Sequence, residues 1–309
     1  MAVDLGVSMD DVYDAADDLF GPIEPSPAPP LAEPEPPAIV EGLDPEVYHA
    51  DINSVGVGGL RDFGRSPLHY WWAHRRPGRE KPKATPAQVT GTAIHAAVLE
   101  PERFTRDFAA APEVDRRSKE GKAIHAEFLE RAAGRNVITM DDFRAAAAIA
   151  ARIRESRLGC LFFSDSPRAE LSVYWTDRAS GVRCRMRPDL VPSGQPVILD
   201  LKSCETAEES RFRNRAFDQG YPMRAAWYVD GWRAATGEKR DYVFAAWEKA
   251  EPYANAWYYA EDEMIQHGRA QYQRLLKRFA ECLAADAWPG YFDGLQPLLL
   301  PPWASEVRA

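Results

Sequence analysis

The chain has 309 residues, 45% hydrophobic and 28% charged, enough apolar material to fill one large domain or two small ones. No run of about 18 apolar residues occurs, so no membrane-spanning helix is expected; the N-terminus also lacks a secretory leader's basic start and apolar stretch, which places the chain in the cytoplasm. The net charge of −9 hides an asymmetry, because residues 1–60 hold 13 acidic side chains and no Lys or Arg, leaving 38 basic against 34 acidic residues in 61–309.

Residues 1–47 read as a disordered acidic tail. The runs Pro25-Ser26-Pro27-Ala28-Pro29-Pro30 and Pro34-Glu35-Pro36-Pro37 are too proline-rich to pack. The tail's front, residues 9–20, has the pattern of a short acidic amphipathic helix, either solubilising or able to dock a partner or the chain's own basic groove. The rest, 48–309, reads as one domain: a helical part over 48–160 and a sheet core over 161–290. Ser66-Pro67 starts a helix, with Ser as cap and Pro in the first turn. Residues 76–90 read as a loop, and Gly91 to Glu100 as a compact helix stopped by Pro101. Residues 141–158 form an Ala-rich helix, with Asp141 and Asp142 favouring its N-terminal dipole.

The pattern changes after Pro167. Leu171 to Thr176 and Val182 to Arg187 alternate around a Gly-containing turn, which predicts a hairpin. Pro196 to Lys202 is a short buried strand, 206–235 is helical, and strands follow at Tyr242 to Trp247 and Trp257 to Tyr259. Residues 262–286 form a long helix with Ile265, Leu275, Leu276, Phe279 and Leu283 on one stripe. This order predicts an α/β fold, a central mixed sheet of about five strands flanked by helices. The four cysteines, Cys160, Cys184, Cys204 and Cys282, include no C-x-x-C pair; they read as reduced thiols and argue against a zinc or iron–sulfur site.

The chemistry concentrates in Arg187-Pro188-Asp189 and, ten residues on, Asp200-Leu201-Lys202. Hydrolysis of a phosphodiester needs a nucleophilic water and neutralised phosphoryl oxygens, which a carboxylate-bound Mg²⁺ or Mn²⁺ supplies. Hard cations choose oxygen ligands. Two aspartates on adjacent strands can converge on one ion. Asp200 and Lys202 share a face because side chains alternate along a strand, and a lysine there can orient or deprotonate a water. Leu201 faces the core and leaves its carbonyl as a further ligand. An ordinary buried salt bridge would answer the same pattern.

The segments resemble, in order over roughly residues 50–260, the exodeoxyribonuclease VIII (RecE-like) family of phage and prophage nucleases. That family lies within the PDDEXK superfamily shared with RecB-type nuclease domains. Ser66-Pro67-Leu68-His69-Tyr70 resembles its opening helix. Gly91-Thr92-Ala93-Ile94-His95 through Leu99-Glu100-Pro101-Glu102-Arg103-Phe104 is similar to its most specific motif. Arg116-Arg117-Ser118-Lys119-Glu120-Gly121-Lys122 and Trp247-Glu248-Lys249-Ala250-Glu251-Pro252-Tyr253 resemble later ones.

The resemblance implies roles. His95, Asp189, Asp200 and the Leu201 carbonyl would hold Mg²⁺ or Mn²⁺, and Lys202 would assist the water. Glu170 would sit near the metal, and Tyr221 would touch the phosphate. Arg224 stands where the family usually has Gln, one helical turn from Tyr221, and could bind phosphate as a cation. Arg116, Arg117, Lys119, Lys122, Arg211, Arg213 and Arg215 could line a DNA path, with a further cluster at Arg65, Arg75, Arg76, Arg79, Lys81 and Lys83. Trp71, Trp72 and Trp175 read as core residues, with stacking on an end base as the rival.

The implied activity is 5′→3′ digestion of double-stranded DNA ends to 5′-mononucleotides, leaving a 3′ strand. The implied partners are a single-strand annealing protein and further copies of the chain in a ring, in the bacterial host cytoplasm if phage-encoded. The alternatives are an endonuclease of the same superfamily and a nuclease-dead module that binds DNA ends. An iron–sulfur nuclease is disfavoured because Cys282 has no close companions.

Overall fold

A computed structural model describes residues 35–79, 84–292 and 294–300. The helix expected over 9–20, most of the proline-rich run, Lys81 and Lys83 lie outside them. The described chain opens with β1 (Ala38–Val40), α1 (Pro45–Ala50), β2 (Val55–Gly56), α2 (Val57–Arg65) and α3 (Pro67–Tyr70). A π-helical turn over Trp71–Arg75 precedes α4 (Pro86–Leu99), α5 (Pro101–Asp107), β3 (Phe108–Ala110), α6 (Lys119–Arg131) and β4 (Asn136–Ile138). Then come α7 (Met140–Glu155), α8 (Arg157–Phe162), β5 (Arg168–Ala169), β6 (Ser172–Thr176), β7 (Arg183–Met186) and β8 (Leu190–Val191). The chain ends with β9 (Val197–Cys204), α9 (Glu209–Asp218), α10 (Tyr221–Thr236), β10 (Asp241–Glu248), β11 (Asn255–Tyr259) and α11 (Asp262–Ala285).

Local chemistry sets these boundaries. Ser66 caps α3 as expected, its hydroxyl accepting from the His69 amide at 3.2 Å. The loop expected over 76–90 is shorter. Thr85 and Gln88 form a reciprocal capping box, which satisfies orphan amides and, with Pro86 in the first turn, starts α4 five residues before Gly91. The helix expected over 206–235 is two helices, because Gly220 takes a left-handed φ of 71° that an α-helix cannot contain.

The tail boundary at residue 47 also needs correction. Ala38, Ile39 and Val40 pair antiparallel with Tyr174, Val173 and Ser172. The Glu35 carbonyl accepts from Arg183 at 2.9 Å and from the Thr176 hydroxyl at 3.2 Å. A proline-rich stretch can lack side chains to bury and still supply carbonyls and a short β-favouring edge.

A five-stranded sheet runs β11-β10-β9-β8-β5, with β9 and β10 parallel and the other neighbours antiparallel. The expected hairpin is β6–β7, within a second sheet ordered β1-β6-β7-β2. Alternation sends the two faces of β9 and β10 into different cores. Ile198, Cys204, Tyr242, Phe244 and Ala246 join Trp227 and Tyr228 of α10 and Tyr272 and Leu276 of α11. Leu199, Leu201, Val243, Ala245 and Trp247 join Ala93 and Val98 of α4 and Ile149 and Ile153 of α7. The same alternation places Asp200 and Lys202 on the α10 side.

Helices α10 and α11 approach closely at Gly268, where a Cβ would overlap the Pro222 carbonyl. Gly268→Ala is therefore expected to cost about 1–3 kcal/mol of unfolding free energy in urea. Gly91, with open space around its Cβ position, should gain up to about 1 kcal/mol on Gly91→Ala. Equal effects at the two positions would refute the packing described.

Candidate active site

Asp189 immediately precedes β8 and is 7% exposed. Its Oδ2 accepts the Leu201 amide hydrogen at 2.6 Å, tying the exit of the β6–β7 hairpin to β9. His95, on α4, brings Nδ1 to 3.8 Å from the same oxygen and rests edge-on against the Trp247 ring.

Glu170, between β5 and β6, holds a φ of 51°. That left-handed conformation is uncommon outside glycine and costs on the order of 1–3 kcal/mol. Surrounding bonds fix it. The Glu170 amide donates to the Asp189 carbonyl at 3.2 Å, and Arg187 Nε lies 3.1 Å from both the Glu170 carbonyl and Oε2. Arg187 is itself held by the Leu43 carbonyl at 2.7 Å and lies over the Tyr48 ring. One nitrogen or oxygen from each of His95, Glu170 and Asp189 then falls within 4.8 Å of the others.

Asp200 stands outside that triad. At 1% exposure it has Lys202 Nζ against Oδ2 and Arg224 Nε at 3.3 Å from Oδ1. The sequence-based ligand set of His95, Asp189, Asp200 and Leu201 is thus gathered in part, with Glu170 as the third member. The Leu201 carbonyl accepts from Lys202 Nζ at 3.3 Å. The Tyr221 ring lies 5.3 Å from Lys202 Nζ and packs on Phe244.

Burial and like charge shape the protonation of these groups. Burial first, and the Asp189 carboxylate second, push Glu170 up to about 8. Burial lowers Lys202 below the usual ammonium range, against the pull of Asp200. Burial would raise Asp200, but Arg224 and Lys202 together carry it below the usual carboxylate range.

The basic residues divide. Arg215 reaches the Ser203 carbonyl at 3.4 Å, one residue beyond Lys202, and so borders the site. Arg211 and Arg213 are exposed on the same helix, the latter 3.6 Å from Glu209. Arg116, Arg117, Lys119 and Lys122 are exposed around the start of α6. Trp175 is buried against Trp227, whereas Trp72 is exposed beneath the Arg76 guanidinium. Arg187 and Tyr228 were missed as site residues. The one available signal was Arg187's position two residues before Asp189.

A family model described as "PDDEXK-like domain of unknown function (DUF3799)" matches residues 56–296. The fold is similar to a crystal structure titled "Putative exonuclease" from Eubacterium rectale, at 13% identity and a TM-score of 0.52, covering 87% of this chain and 98% of that one. No curated protein matches the sequence.

A divalent cation, implied by the fold, fits the triad. The donors are two carboxylates and an imidazole, a set that hard and borderline ions accept. The half-buried Glu170 and the buried Asp189 also carry two negative charges with little to balance them, since among the described residues Arg187 is the side chain paired with Glu170 and His95 lies 3.8 Å from Asp189. Mg²⁺ or Mn²⁺ at about 100 times its Kd is expected to stabilise the protein by about 2.7 kcal/mol, read as a rise in Tm over protein in EDTA. His95→Ala and Asp189→Asn should remove most of that rise; an equal rise in both variants would place the ion elsewhere.

Proposed function

This chain belongs to the family of PDDEXK-like domains of unknown function (DUF3799), and from that premise we propose that it is a divalent-metal-dependent nuclease acting on the ends of double-stranded DNA. The observation that carries the reading is the placement of Lys202, on β9, beside the buried Asp200, with the His95–Glu170–Asp189 group joined to the same strand through the Leu201 amide.

In this reading His95, Glu170 and Asp189 hold Mg²⁺ or Mn²⁺. An ion held there would neutralise phosphoryl charge and make a water more acidic. Lys202, with its side chain 14% exposed, orients that water and stabilises the negative charge that develops on the phosphoryl group. Tyr221 and Arg215 lie where a phosphate beside Lys202 would be held, and Arg224 adds fixed charge. Attack of the water on phosphorus forms the new P–O bond and breaks the bond to the 3′ oxygen, which takes a proton from solvent and leaves as a 3′-hydroxyl, so the product carries a 5′-phosphate. The exposed Arg211, Arg213, Arg116, Arg117, Lys119 and Lys122 supply the longer DNA path.

The finer reading is 5′→3′ release of mononucleotides, leaving a 3′ strand for a single-strand annealing protein, by copies of the chain arranged as a ring. The family resemblance of the motifs around His95 supports it. The direct test digests linear duplex labelled at either end, with Mg²⁺, Mn²⁺ or EDTA, beside closed circles and Lys202→Ala. The expected result is early 5′ label as mononucleotide, intact circles, and a loss of about 10²–10⁴ in rate for Lys202→Ala. Cut circles would make it an endonuclease, and DNA binding without cleavage in either metal would make it an end-binding module.

A further inference from the structure

We infer that an arginine-lined cavity, at the opposite end of α10 from Lys202, is the docking site of the chain's own acidic N-terminal stretch, residues 10–18.

The cavity, of about 740 Å³, lies between the β6–β7 turn, the end of α10 and the side of α11; its wall includes Thr176, Asp177, Arg178, Asp230, Arg233 and Arg269. Both aspartates are already engaged. Asp230 accepts from Arg269 at 2.7 Å through each oxygen and from the Tyr272 hydroxyl at 2.7 Å. Asp177 accepts the Ser180 amide at 2.9 Å and its hydroxyl at 2.7 Å. Arg178 and Arg233 are exposed, and neither has an ion-pair partner among the described residues. Two uncompensated cations in a concave site select an anion.

The occupant follows from where the chain enters. Glu35 is the first described residue, and its carbonyl accepts at 3.2 Å from the hydroxyl of Thr176, in the cavity wall. Because β1 runs antiparallel to β6, with Ala38 opposite Tyr174, the chain comes in from the Thr176 end of that strand, beside the turn that bears Arg178. Residues 1–34 hold eight acidic side chains and no Lys or Arg, and five of the eight are Asp10, Asp11, Asp14, Asp17 and Asp18. Spacings of three and four would put these five on one face of a helix. Acids in the described part of the segment already meet arginines of the sheets: Glu35 lies 3.5 Å from Arg183 and Glu41 3.8 Å from Arg168.

Sixteen residues separate Asp18 from Glu35. A chain of that length spans up to about 55 Å, enough to turn back on a cavity that begins beside Glu35. A group tethered so closely meets its site at an effective concentration on the order of millimolar, an advantage that a free anion such as DNA lacks. The cavity also lies apart from the cleavage residues: α10 begins at Tyr221, whose ring is beside Lys202, and its 16 residues carry the chain about 24 Å to Arg233 and Gly237. Docked there, the acidic stretch screens Arg178 and Arg233 from other polyanions.

The experiment records ¹H–¹⁵N spectra of the labelled full chain in EDTA, at a low and a high protein concentration, and compares the amide peaks of residues 9–20 with those of an isolated 1–34 peptide. At low salt the wild-type peaks are expected to differ from the peptide's at both concentrations. They should return to the peptide's positions in Arg178→Glu/Arg233→Glu, and in about 1 M NaCl, where charges are screened within about 3 Å. Arg116→Glu/Lys119→Glu, at the start of α6, should leave them as in wild type. Circular dichroism checks each fold; if the double cavity variant does not fold, the single Arg233→Ala, expected to move the peaks part of the way, decides instead. Wild-type peaks that coincide with the peptide's, peaks unmoved by the cavity variants, or peaks released by the α6 variant would each overturn the assignment. A difference seen only at the high concentration would overturn it in favour of a second copy's segment. Free wild-type peaks, with the Thr176 and Gly237 amides shifting on added duplex DNA, would overturn it in favour of phosphates.

Discussion

A carboxylate sealed inside a sheet has lost its water, and the penalty for leaving such a charge unpaired is several kcal/mol. Asp200 is in that position on β9. Lys202 balances it from the same strand, two residues on and therefore on the same face. Arg224 balances it from α10, across the gap between sheet and helix. Much of the architecture serves to hold these three charges in register. The parallel pairing of β9 with β10 sets Phe244 beside Asp200 and Ala246 beside Lys202, walling one side with apolar groups. The packing of α10 on α11, close enough to require Gly268, keeps Arg224 from moving away.

The opposite face of β9 carries the other half of the site. Leu199 and Leu201 anchor the strand in the core shared with α4, the helix that delivers His95. The Leu201 amide then holds Asp189. One strand thus serves as backbone scaffold for the acids near His95 and as side-chain scaffold for the Asp200–Lys202 pair. Glu170 completes the first group through a strained backbone that Arg187 and the Asp189 carbonyl clamp. Strain of this kind persists where neighbours over-determine it and clusters at functional sites.

The D-x-K strand was legible in the sequence because period-two alternation and an apolar approach run are one-dimensional signals. The hairpin, the long last helix and the Ser66 cap were legible for similar reasons. His95 was not, since a lone histidine on an Ala-rich helix carries no signal without the resemblance of its neighbours. Glu170 as a member of the triad, and the Arg224–Tyr228–Arg187 chain of hydrogen bonds, depend on a positive φ and on contacts between elements far apart in the chain. Residue spacing does not encode these. The early start of α4 was readable, as Thr85-Pro86-Ala87-Gln88 is a capping box, but the neighbouring prolines masked it. The ordered segment before residue 47 was hidden because its role in the fold lies in backbone carbonyls and a strand of three residues, Ala38–Val40.

The central claim is that His95, Glu170 and Asp189, gathered beside the strand that carries Asp200 and Lys202, hold the divalent cation. Anomalous X-ray scattering from crystals soaked in Mn²⁺ tests it most directly. The expected map has a peak bound by the His95 imidazole and the Glu170 and Asp189 carboxylates. A peak away from these three side chains, or no peak at all, would contradict it.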